Sequence, residues 1–154
     1  MRYPQIILFE ADAAIAQCLE PVAQDRRWLL RQPRQAPACI GLLRGGGPAV
    51  LVIKIGRHLI RELTFLDQVH EYHADAPVVV VTDSEDYLLL RLAMELGASF
   101  VLMPPQSRQD LSEIVAKLME ASIRRSTLIE AVVDEGAVSS QDQSAGESPL
   151  ESSS

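Results

Sequence analysis

The sequence predicts an α/β fold: a doubly wound, five-stranded parallel sheet with helices on both faces. Three observations lead there. The run Ala49 to Ile53 is five apolar residues long, bounded by Pro48 and, two residues past Lys54, by Gly56. A second run, Val78-Val-Val-Val81, follows Pro77. Continuous Val/Ile/Leu runs of this length, cut off by Pro and Gly, belong to strands covered on both faces. Finally, strand-like runs alternate with helix-period segments five times, the habit of a doubly wound sheet. No internal repeat is evident.

Each element has its own signal. Ile6 to Phe9 is a short buried strand ending at Glu10-Ala11-Asp12. Asp12 is a good N-cap for the Ala-rich helix that follows to about Ala23, which Pro21 should kink or shorten. Trp28 to Gln32 is a weaker edge strand, Pro37 to Arg44 a short helix, and Gly45-Gly-Gly47 a turn. The central strand follows, with Lys54 at its carboxyl end. Leu59 to Tyr72 is amphipathic, with Leu59, Leu63, Phe65, Leu66 and Val69 inward. After Val81 and Thr82-Asp83, a helix from Asp86 to Leu96 closes at Gly97 as its C′ residue. Phe100 to Met103 is the last strand, stopped by Pro104-Pro105. Ser107 caps a final helix with Leu111, Ile114 or Val115, and Leu118 inside. The expected organisation is a domain over 1–126, a helical extension over 127–135, and a disordered acidic, Ser-rich tail over 136–154.

Composition narrows the function classes. A chain of 154 residues with 47% hydrophobic content can bury one sizeable core. It holds no apolar run long enough for a membrane span and no signal-peptide layout, so a cytoplasmic protein without a membrane partner is expected. Cys18 and Cys39 read as reduced structural thiols. The net charge of -7 is concentrated at one end: after Arg125 there is no Lys or Arg, while Glu130, Asp134, Glu135, Asp142, Glu147 and Glu151 follow. The nearly neutral remainder gives no electrostatic support for nucleic-acid binding.

Residues at the strand ends carry a resemblance. Glu10-Ala11-Asp12 after the first strand, Lys54 ending the third, Thr82 ending the fourth, Gly97-Ala98-Ser99 before the fifth and Pro104-Pro105 after it follow a known order. Over about Gln5 to Met119 the chain resembles the CheY-like receiver domains of bacterial two-component response regulators. The resemblance implies a flavodoxin-like sheet of order 2-1-3-4-5. It also implies an acidic pair at Glu10 and Ala11, with Asp12 at a further acidic position. The phosphoacceptor Asp falls on Lys54, the hydroxyl position on Thr82, and the family's Lys-Pro on Pro104-Pro105. A shift of one residue would put that pair on Met103-Pro104. His58 and Glu62 stand where the family has Pro and Gly.

Phosphoryl transfer to a receiver needs a nucleophilic carboxylate, Mg²⁺ held by carboxylates, and donors for the phosphoryl oxygens. Here the nucleophile position holds an ammonium, one metal carboxylate is the methyl of Ala11, and the family's lysine is absent. Only Glu10 and Thr82 keep the chemistry of their positions. Lys54 therefore either pairs with Glu10, its neighbour across the first and third strands, or snorkels to water. Asp67, His70 and His73 share helical spacing but read as a solvated helix end. His58 lacks a carboxylate pattern to orient it as a phosphoacceptor.

The expected function is a non-catalytic pseudo-receiver: not an enzyme, without metal or cofactor, acting through a protein partner or as a homodimer. The alternative is a flavodoxin-like domain binding a nucleotide or flavin, although no glycine-rich turn follows the first strand. The expected interface is the helix Asp86 to Leu96. If Leu89, Leu90, Ala93 and Met94 face the sheet, Leu88 and Leu92 are left outside.

Overall fold

In the computed structural model, described for the backbone of residues 2–153 and the side chains of 2–133, strands and helices alternate from end to end. The strands are β1 (Gln5–Phe9), β2 (Leu29–Arg31), β3 (Ala49–Lys54), β4 (Val78–Val81) and β5 (Phe100–Leu102). The helices are α1 (Ala13–Arg26), α2 (Ala36–Arg44), α3 (Leu59–Tyr72), α4 (Tyr87–Glu95) and α5 (Asp110–Ser153). All pairings are parallel and the sheet order is β2-β1-β3-β4-β5. The chain forms two units, Met1–Ser122 and Ile123–Ser154. Residues 127–133 belong to α5. The expected disordered tail over 136–154 falls on residues whose side chains lie outside those described.

β1, β3 and β4 are buried along almost their whole length, as strands covered on both faces must be. Alternate side chains point to opposite faces. Ile7, Phe9, Leu51, Ile53 and Val80 join Phe65, Leu66 and Val69 of α3 and Ala93 of α4 in one core cluster. Phe9 and Phe65 anchor it with ring centroids 4.6 Å apart. The other buried apolar helical residues, among them Ile15, Leu19, Leu111, Val115 and Met119, belong to α1 and the start of α5 and lie outside that cluster. Cys39 is a free thiol in the core, pushed up to about 12 by burial, and Cys18 is free and half-buried.

Several details differ from the sequence expectations. Pro21 does not shorten α1, which runs to Arg26 and ends on Arg27 in the left-handed region. Leu59 is exposed because it is the first residue of α3, beyond the reach of the sheet. In α5 the buried line passes through Met119, with Leu118 only half-buried. Met94 is exposed, since Leu89, Leu90 and Ala93 already complete the sheet-facing side of α4. Gly97 has φ 113°, and a Cβ there would lie 2.5 Å from the His70 ring, so this turn admits no other residue without displacing α3. Among the described residues, no helix is long and apolar enough to cross a membrane.

Candidate functional site

The register of the sheet brings the chemistry to one edge. Phe9 pairs with Ile53, and Lys54 with Val81, so Glu10, Lys54 and Thr82 all emerge at the carboxyl ends of adjacent strands. With Ala11, Asp12, Asp83 and Ser84 they line a cleft of about 570 Å³, with Arg57 at its rim.

Lys54 is the centre of this cleft, but its partner is not Glu10. Its Nζ donates to Asp12 Oδ2 at 2.8 Å and lies 3.0 Å from Asp83 Oδ2. Arg108, from the loop before α5, completes a ring. Its Nη1 donates to both Asp12 oxygens, at 3.2 and 3.0 Å, and its Nη2 donates to Asp83 Oδ1 at 2.6 Å. Two cations and two carboxylates thus alternate around a closed circuit. The sequence expectation of a Lys54–Glu10 pair fails for a backbone reason. Glu10 has φ 57°, which turns its side chain toward α3, where it pairs with Arg61. Asp12 is extended at the N-cap of α1, accepting from the Ile15 N–H at 2.9 Å, and this fixes its other oxygen toward the lysine.

The electrostatics follow from the ring. Burial would raise Asp12, but bonds from Lys54, the Ile15 N–H and Arg108 outweigh it and hold its carboxyl at about 2. Asp83 is lowered first by Lys54 and then by Arg108. Lys54 is raised, chiefly by its bond to Asp12, so at neutral pH it is an ammonium with no lone pair to offer. Arg108 is raised chiefly by Asp83. The ring is partly wet: the side chains of Lys54 and Asp12 are 21% and 38% exposed.

The remaining expected residues have local roles. Thr82 is buried and its Oγ1 accepts from the Ser84 N–H at 3.1 Å, shaping the loop after β4. Ala11 presents only a methyl group. The Pro104–Pro105 peptide bond is cis. Leu88 and Leu92 are exposed, at 74% and 41%, on α4. Glu62, noted in the sequence only as a departure, is fully buried. Its carboxylate accepts from the N–H groups of Gly56 at 2.8 Å and His58 at 3.2 Å, tying down the loop after Lys54.

The residues do not fit Mg²⁺. That ion takes near-octahedral oxygen ligands, with at least one or two carboxylates to spare. Asp12 and Asp83 are each already bound by two cations, and Lys54 would stand against the metal's charge. Arg108, Asp83 and Arg61 were not singled out from the sequence. Asp83 follows Thr82 at a strand end, so the topology could have found it; Arg108 and Arg61 carry no local signal.

No protein-family model matches the chain, and no curated protein does. Solved structures do. The signal receiver domain of an HD domain-containing protein from Pseudomonas fluorescens Pf-5 has a TM-score of 0.65 at 21% identity, covering 82% of this chain and 94% of that one. The receiver domain of a putative Luxo repressor protein from Vibrio parahaemolyticus has a TM-score of 0.64 at 16% identity, covering 84% and 98%. A CheY-like response regulator receiver domain protein from Methanospirillum hungatei JF-1 has a TM-score of 0.64 at 14% identity, covering 80% and 99%. The chain therefore has the flavodoxin-like fold of CheY-like receiver domains.

Proposed function

We propose that this protein is a pseudo-receiver, a non-catalytic interaction module of two-component-type signalling that works in the cytoplasm without being phosphorylated at the usual position. One observation carries the reading: the side chain at the end of β3 is an ammonium already bonded to Asp12 and Asp83. Phosphoryl transfer to a receiver places a phosphoryl group and Mg²⁺ among the loops at these strand ends. Here Lys54 and Arg108 make comparable bonds from within the chain, so those loops are held in one arrangement. Glu10, Ala11, Asp12, Lys54, Thr82, Pro104 and Pro105 then form a structural pocket, and output depends on a fixed surface.

The surface best suited to a protein partner, or to a second copy, is α4. Tyr87, Leu88, Leu92 and Met94 are all exposed there, and Leu90, Met94, Phe100 and Val101 line an adjoining groove of about 560 Å³. Scattered apolar residues are ordinary on a surface; here they border a groove that Arg91 and Glu95 also line, and apolar surface rimmed by charge suits a protein contact.

The test is a titration with beryllofluoride, a phosphoryl mimic, and Mg²⁺, followed by amide NMR spectra. The reading expects the resonances around Lys54, Thr82 and Asp83 to stay in place. Saturable shifts there would refute it.

A further inference from the structure

The unit Ile123–Ser154 carries an apolar stripe that the proposed receiver-type role leaves unused. Leu128, Ile129, Val132 and Val133 are 66%, 52%, 65% and 62% exposed. At 100° per residue these four positions span roughly 140° of α5, one face rather than a scatter. Exposing four large side chains on one helical face is costly in water, and a second amphipathic helix is the occupant that covers such a face along its length.

The charges along this helix say which helix. Arg124 and Arg125 precede the stripe, Glu130 lies within it, and Asp134 and Glu135 follow in the sequence; no Lys or Arg occurs after Arg125. The segment is therefore basic at one end and acidic at the other. Two copies laid parallel would set arginines beside arginines and acids beside acids. With one copy reversed, each basic end lies against the other's acidic end while the stripes still face each other, since the stripe sits between the two. Like charges side by side oppose pairing, and opposite charges favour it and select the orientation.

We infer that the stripe Leu128-Ile129-Val132-Val133 is a self-association surface, pairing with a second copy of this chain as an antiparallel helical pair. Only four apolar side chains per copy take part, so the association is weak and concentration-dependent. It is also salt-sensitive, because its orientation rests on exposed charges.

Sedimentation equilibrium of the full chain, over a roughly hundredfold concentration series, tests this. The wild type is expected to self-associate. Ile129→Glu with Val132→Glu is expected to abolish association while leaving the thermal transition of the rest of the protein in place. Arg124→Glu with Arg125→Glu is expected to weaken it at least tenfold at low salt, because both ends are then acidic. Leu88→Glu with Leu92→Glu, on α4, is expected to leave this association intact, which separates it from the surface proposed above. A wild-type monomer throughout the series would overturn the inference, as would association that survives the Ile129/Val132 change. Pairing unaffected by the arginine reversal would overturn the antiparallel orientation, and stripe-dependent binding only to a different protein would overturn the second copy as occupant.

Discussion

Asp12 does three jobs with one carboxylate: it caps α1, holds Lys54 and receives Arg108. Its folded pKa of about 2 lies below the ordinary aspartate value of 3.8, so the stability it contributes is fully present above about pH 4 and lost as pH falls through about 2. Lys54 acts at the opposite end: its pKa is raised, so its contribution is present below its ordinary value and lost as pH climbs through the raised one. Asp12→Asn keeps a good cap and removes the charge. Because the side chain is 38% exposed, solvent screening limits the expected loss at neutral pH to about 1 kcal/mol. Urea denaturation from about pH 5 down to 2 should show the variant converging on the wild type; a constant gap would mean that Asp12 titrates normally. In double-mutant cycles, Lys54→Met should couple to Asp12→Asn by roughly 0.5–1 kcal/mol and add independently with Glu10→Gln. Glu62→Ala strips two backbone N–H groups of their acceptor and is expected to cost about 2–3 kcal/mol by the same denaturation assay. Lys54 as the anomaly at the strand end was legible in the sequence. Its partners were not, because the left-handed turn at Glu10 and the approach of Arg108 from 96 residues away are set by tertiary geometry.

At the scale of elements, strands were easier to read than helix faces. A run such as Val78-Val-Val-Val81 is buried on every side, so its residues need no assignment to a face. A helix must choose, and α4 offers more leucines than its buried stripe can use. Leu89, Leu90 and Ala93 pack on the core, and Leu88 and Leu92 do not, as their spacing indicates; Met94, one step on from Ala93, turns out to solvent. Pro21 misled in the other direction, because a proline removes one hydrogen bond from a helix but a helix packed through Ile15, Leu19 and Ala23 can absorb that loss. The exposure of α4 has a measurable consequence. Leu88→Glu with Leu92→Glu should change the free energy of unfolding by no more than about 0.5 kcal/mol per site, the range for surface substitutions. A loss of several kcal/mol would show that these leucines are covered by the fold.

For the whole molecule, the sheet brings a lysine, a threonine and the loops bearing two aspartates and an arginine to the edge where this fold class keeps its chemistry. The fold was legible because apolar runs, turn residues and caps all pointed the same way. The pocket was only half legible: a lysine at the end of β3 can be read from the sequence, but the circuit that joins it to Asp83 and Arg108 needs the folded chain. We propose that this circuit takes the place of phosphoryl chemistry. Incubation of the full chain with acetyl phosphate and Mg²⁺, read by intact mass, tests it most directly. An unchanged mass is expected for the wild type and for Lys54→Asp, since Ala11 offers no carboxylate for Mg²⁺ and Met103-Pro104-Pro105 after β5 holds no lysine. An acid-labile species heavier by one phosphoryl group on the wild-type protein would contradict it.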